Sequence, residues 1–231
     1  MRQTGNYSQD DQLFTALAQQ LKVPLLQIAR LAEAQQGTTL ENITVISEHA
    51  LRLVDAYAQS HSQTQITLLL EPITTGAVLY DVANDLYPFA KHLDYNIEVD
   101  LHGRSVPVMA HRDSLRAMLT LLGASLIEVA TEDETKPRRL ILGTHRSSQG
   151  TIVGAFSSQL DLSERALKIA RELYGTASQV APTLSVSGGA GLAIADRLSE
   201  QMSTRLKTYR HRSFIGIGSL LLPSQQLRLL K

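Results

Sequence analysis

Apolar residues at Leu13, Leu17, Leu21, Leu25, Ile28 and Leu31 recur at spacings of three and four. That is the stripe of an amphipathic helix, predicted here from Asp11 to about Gln36. Gly37 is a natural stop, and Thr38 or Thr39 can cap a following helix with Glu41 or Asn42 in its first turn. A second stripe, Leu40, Ile43, Ile46, Ala50, Leu53 and Tyr57, predicts that helix. Two helices joined by a tight turn make a hairpin with too little core to stand alone. Its stripe is therefore expected to pair with a second copy as a four-helix bundle. Pro24 lies inside the first helix, where it costs about 3 kcal/mol unless the helix bends around it, so a kink is expected there.

The polar run Gln59 to Gln65 reads as a linker. Beyond it, short apolar segments alternate with helical ones. Ile66–Leu70, Tyr95–Leu101 and Val106–Met109 read as strands, and Thr75–Leu93 and Ser114–Ala130 as helices. Thr131–Pro137 is a charged loop. Arg139–Thr144 and Thr151–Phe156 read as a hairpin turning near Ser147 to Gly150. A helix follows at Ser163–Tyr174, then a polar loop over Gly175–Gly189, a helix over Ala190–Met202 and a closing hairpin of Leu206–Tyr209 with Phe214–Leu222. The mixture predicts an α+β chain: a helical hairpin over 1–60, a two-layer α/β sandwich over 66–225 with one helical layer on one sheet, and a tail over 226–231.

Composition narrows the function classes. The chain has 22 basic and 22 acidic side chains, so no net charge drives capture of nucleic acid or an anionic membrane. It has no cysteine, which excludes disulfides, thiolate nucleophiles and cysteine–zinc sites. No apolar run approaches the length of about eighteen residues that a membrane span needs, and the start, MRQTGNYSQDDQ, has no signal-peptide core. A cytoplasmic location is expected.

Several stretches together carry a resemblance: Leu70–Thr75 (LEPITT) with the helix after it, Arg112–Leu122 (RDSLRAMLTLL), Ser187–Ile194 (SGGAGLAI) with Asp196–Met202, and Phe214–Pro223. In this order they resemble the ATP-binding domain of the sensor histidine kinases, whose fold is shared with gyrase, Hsp90 and MutL. The helical pair before them resembles the dimerisation and phosphotransfer hairpin of the same family. The likeness runs from about Leu13 to Pro223.

The family's chemical residues are another matter. Its phosphoacceptor histidine, the acidic residue after it and a later proline map, through Pro24, to Gln19 and Gln20. An amide nitrogen has no basic lone pair with which to attack phosphorus, and Gln20 cannot act as a general base. The helix that holds the family's metal-binding asparagines has Thr120 and Ala124 at the matching places. Magnesium needs oxygen ligands and alanine offers none. The adenine-reading aspartate and its glycines have no match after Thr151–Phe156, although Asp161 lies close by. Gly189 and Gly191 match two glycines of the second glycine motif, with Ser187 at another, and backbone amides at that helix start can hold an anion. A turn kept for packing is the competing reading. Glu128 offers itself as a substitute ligand against the reading of a solvated helix end, and His49 as a displaced acceptor against that of a bundle-edge side chain. His111 reads as a turn or cap residue. The basic run Arg205, Lys207, Arg210, His211 and Arg212, with Tyr209 inside it, reads either as an acidic-partner patch or as the solvated face of an edge hairpin.

The resemblance with these losses implies a catalytically degenerate histidine-kinase-like homodimer without a cofactor. Such a protein would bind a response-regulator receiver domain or a true kinase by scaffolding or sequestration. The alternative is a divergent kinase or phosphotransferase that keeps ATP and magnesium and uses His49. A histidine phosphotransfer protein fits poorly, since no histidine stands between Met1 and Thr39.

Overall fold

The computed structural model describes residues 9–34, 39–62, 69–101, 107–128, 137–158 and 189–224. Helices α1 (Gln9–Ala34) and α2 (Thr39–Ser62) form the expected hairpin, and α1 continues through Pro24 as one helix. The sandwich follows as β1 (Glu71–Ile73), α3 (Thr75–His92), β2 (Asn96–Leu101), β3 (Val108–Ala110) and α4 (Arg112–Glu128). It continues with β4 (Arg139–Arg146), β5 (Thr151–Ser157), α5 (Gly189–Gln201), β6 (Leu206–His211) and β7 (Phe214–Leu221). The expected helix at Ser163–Tyr174, Asp161 and Ser187 lie outside the described residues.

Five strands run β2-β4-β5-β7-β6, and a separate two-stranded sheet joins β1 to β3. Among the described residues, only β2 and β4 pair in parallel, with Ile97 opposite Leu140 and Val99 opposite Leu142; the other pairs are antiparallel. Of the predicted strand at Ile66–Leu70, residues 66–68 lie outside the described residues and only its end is tested. Leu69 and Leu70 belong to no strand, and β1 begins at Glu71. A three-residue strand containing Pro72, which cannot donate to a ladder, has none of the apolar alternation that marks longer strands.

Helices α3 and α5 end alike. Tyr95 N–H donates to Ala90 O and Asp94 N–H to Lys91 O, with Asp94 at φ 57°. Thr204 N–H donates to Ser199 O and Ser203 N–H to Glu200 O, with Ser203 at φ 58°. Each is a Schellman closure that satisfies the last carbonyls and turns the chain sharply. At the start of α4, His111 Nδ1 accepts the Ser114 N–H at 3.3 Å, the capping role expected of it.

The helical layer covers one sheet face. Leu79 and Leu86 of α3, Leu115, Met118 and Leu122 of α4 and Ile194 and Leu198 of α5 form one core with Leu140, Leu142, Val153, Ala155 and Ile217. The opposite face is also closed in part, since every residue of β5 is buried. His211 lies across it, stacked on Phe156 with ring centroids 4.9 Å apart. Gly143 permits this, because a Cβ there would stand 3.0 Å from the His211 ring.

The hairpin does not stand away from the sandwich. Leu13, Leu17, Leu53 and Ala56 belong to the same buried core as the sandwich helices. The bundle expectation, which assigned the whole stripe to a second copy, is corrected to that extent: part of it is covered by the chain's own sandwich. Among the described residues, no helix is long and apolar enough to cross a membrane.

Candidate functional site

Polar residues interrupt the buried stripes of the hairpin, Gln20 and His49 among them. Gln20 follows Leu17 by three positions on α1, and His49 lies between Ile46 and Leu53 on α2. Polar groups in an apolar interface are costly without partners, and both have them. Gln20 Oε1 accepts the N–H groups of Ala190 at 2.9 Å and Gly191 at 3.2 Å. These amides belong to the first turn of α5, where no carbonyl of the helix can reach them. Gln20 Nε2 donates to Glu128 Oε2 at 3.3 Å, and His49 Nε2 meets Glu128 Oε1 at 2.8 Å. The His49 ring lies flat on Phe89 of α3, with centroids 4.3 Å apart and planes 10° from parallel. One continuous chain of groups thus links α1, α2, α4 and the start of α5.

The side chains of His49 and Glu128 are 14% and 16% exposed. Neither expectation for them survives in full. Glu128 is no solvated helix end: it accepts from the hairpin at both oxygens. His49 is no bundle-edge side chain, because it lies between hairpin and sandwich. The sequence contained the signal, since a glutamine and a histidine in register with buried leucines call for partners. A carboxylate at a helix terminus gives no such warning.

The positions that the resemblance singles out fall around this network. Gln19 lies on α1 immediately before Gln20. Ala124 and Thr120 precede Glu128 by one and two turns of α4, and both are buried. Residues four apart share a helix face, so this face leads to the groups that meet the hairpin. Gly189 begins α5. Gly191 packs tightly: a Cβ there would stand 2.8 Å from Ser125 Oγ and 3.8 Å from Leu53 Cδ1. Close approach between α4 and α5 accounts for this glycine without a ligand. Among the described residues, no group of three or more histidine, aspartate or glutamate side chains is arranged to hold a metal ion.

The basic run divides. Lys207 and Arg210 are exposed on edge strand β6 and Arg205 just before it, as a solvated face requires. His211 departs from that reading: it is 3% exposed and its Nε2 meets Asp100 Oδ2 at 2.8 Å, where Arg212 also pairs at 2.8 Å.

A second candidate surface lies on the outer side of the hairpin. Phe14 and Leu25 on α1 and Leu51 and Val54 on α2 are large apolar side chains left exposed. Ala18 and Ala58 extend the two rows with spacings of four, seven, three and four, the alternation of a helix-pairing seam.

Neither a family model nor a curated protein matches the sequence. Solved structures do match in fold. Histidine kinase AdeS of Acinetobacter baumannii superposes with a TM-score of 0.54 at 15% identity, over 89% of this chain and 98% of that one. Full-length ShkA, solved in complex with AMPPNP, gives 0.55 at 18% identity over 93% of this chain and 46% of its own. Histidine kinase ThkA, in complex with response regulator TrrA, gives 0.52 at 12% identity over 91% of this chain and 60% of its own. At these identities the likeness establishes the fold: a hairpin followed by a histidine-kinase-type ATPase sandwich.

Proposed function

We propose that this histidine-kinase-like chain acts by binding protein and not by phosphoryl transfer. Its hairpins pair in a homodimer, and its partner is a response-regulator receiver domain or a histidine kinase in two-component signalling. The observation that carries the reading is the place of Gln20. Its neutral amide holds the two α5 amides that the resemblance assigns to a nucleotide phosphate. Glu128 and His49 close the face of α4 that also carries Thr120 and Ala124, where the resemblance implies the metal-binding asparagines. The donor set does not fit magnesium, because one of the two positions carries no oxygen. The exposed seam of Phe14, Leu25, Leu51 and Val54 supports pairing of hairpins. The ThkA–TrrA complex supports the choice of partner, as a likeness between folds.

Thermal unfolding with ATP, ADP and magnesium tests the noncatalytic reading. A ligand at 100 times its dissociation constant would stabilise the fold by about 2.7 kcal/mol, and no shift is expected. Sedimentation equilibrium tests the seam: Leu51→Glu with Val54→Glu should convert dimer to monomer without loss of helix content.

A second reading is favoured by the His49–Glu128 pair, which sets an imidazole beside a carboxylate near the start of α5. In that reading His49 accepts phosphate with Glu128 as its base. Incubation with labelled ATP and magnesium decides. A stably phosphorylated chain whose label is abolished by His49→Ala would replace the first reading by the second.

A further inference from the structure

We propose that Gln20, Glu128 and His49 are a latch, a directional polar lock that holds the hairpin on its own sandwich and keeps the start of α5 closed. The inference deepens the function proposed above and rests on it in one respect: the hairpin is the partner-binding element, so its docking regulates what a partner meets.

Each member of the lock comes from a different part of the chain. Gln20 belongs to α1, His49 to α2, Glu128 to α4, and the capped amides of Ala190 and Gly191 to α5. The amide of Gln20 is used from both ends, accepting from α5 through Oε1 and donating to Glu128 through Nε2. Such an arrangement has one docked geometry, because rotation of the amide would oppose N–H to N–H and carbonyl to carboxylate. A purely apolar interface permits sliding; this one is either made or broken. At the far end of the hairpin, Gln201 Nε2 donates to Ser60 O at 2.7 Å, and Gln59 Nε2 to Ser114 Oγ at 3.2 Å. Between the two polar ends the apolar part is short, with Leu53 and Ala56 on α2 and Leu13 and Leu17 on α1. A short apolar seam held by hydrogen bonds at both ends is the construction of a reversible contact.

The absence of cysteine makes a direct test possible. Ser60, fully buried where α2 meets α5, is replaced by a single cysteine, and its alkylation by iodoacetamide is timed in the otherwise intact chain. Alkylation requires the hairpin to lift, so its rate follows the undocked population. A second reporter, Ala155→Cys, sits in the sandwich core and responds only to unfolding of the sandwich. Gln20→Met keeps the stem and volume but removes both hydrogen-bonding ends; Glu128→Gln keeps the shape and removes the charge, and serves alone if Gln20→Met does not fold. Each should speed alkylation at Ser60→Cys about tenfold, the factor that about 1.4 kcal/mol represents, with Ala155→Cys unchanged. An unchanged rate at Ser60→Cys, or an equal rise at both reporters, overturns the latch. The dimer seam lies on the outer face, so sedimentation of Gln20→Met separates the two ideas. A monomer in the parent chain would refute hairpin pairing and leave the alkylation result standing.

Discussion

Replacement of Gly191 by alanine puts the packing account of the glycine motif at risk. The new Cβ would lie 2.8 Å from Ser125 Oγ, whereas its next neighbours, Leu53 Cδ1 at 3.8 Å and Leu121 O at 3.9 Å, are at ordinary contact. One hydroxyl therefore carries the whole misfit. Overpacking of this kind costs about 1–3 kcal/mol. Alanine regains up to about 1 kcal/mol over glycine through helix propensity, less in a first turn. The net expectation is a loss of about 1 kcal/mol, or a fall of about 2–4 °C in Tm for a chain of this size. Removing the hydroxyl with Ser125→Ala removes the misfit, so Gly191→Ala in that background should be neutral or slightly stabilising. Urea unfolding of the four proteins gives a coupling of about 1–2 kcal/mol between sites in contact. If Gly191→Ala costs as much with Ser125→Ala as without it, the glycine serves something other than close approach to α4, and the packing account fails.

Two further outcomes concern the sheet. Asp100→Ala removes the acceptor of buried His211 and of Arg212; it should destabilise by about 1–3 kcal/mol, and Asp100→Asn by less, read as a shift in urea midpoint. Burial holds the Tyr95 phenol above its ordinary value of 10.0, against the lowering effect of the Arg138 charge. The folded chain therefore keeps that proton where the unfolded chain has lost it. This contribution to stability is intact below pH 10 and lost as pH rises further, and Tyr95→Phe should flatten that decline.

What could be read from the sequence followed from local periodicity. Leu13 and Leu17 announced α1, and the run from Arg139 to Phe156, broken at Ser147 to Gly150, announced a hairpin whose strands pair as expected. The parallel pairing of β2 with β4 had no such signature, because it joins Ile97 to Leu140 across a helix and a strand. His211 was misleading for a related reason: a histidine between two arginines reads as solvated, and its burial depends on a glycine far off at Gly143. Glu128 failed likewise, since the partners that bury it are on α1 and α2. Sequence distance separates what was legible from what was not: the helices and turns were local, and the site was not.

The glutamine at position 20, where the resemblance implies an acid, is tied physically to Glu128. A kinase of this fold is expected to carry a carboxylate beside its acceptor, and a glutamate at position 20 would meet that expectation. It would also put a second carboxylate oxygen 3.3 Å from Glu128, where Gln20 Nε2 now donates. At an effective dielectric of about 20, two charges at that separation repel by about 5 kcal/mol. The gain from a negative charge at the α5 N-terminus, about 1 kcal/mol, is too small to offset it. Gln20→Glu should therefore leave the pair sharing a proton, with a carboxyl raised above its unfolded value. The sign follows: such a variant is most stable in acid, and loses stability relative to the parent as pH rises through the raised value. Thermal unfolding of both proteins across the acidic and neutral range would show the gap opening with pH. A gap that stayed constant would mean that the two side chains do not meet. The hairpin would then dock by some other contact than the one drawn between α1, α4 and α5.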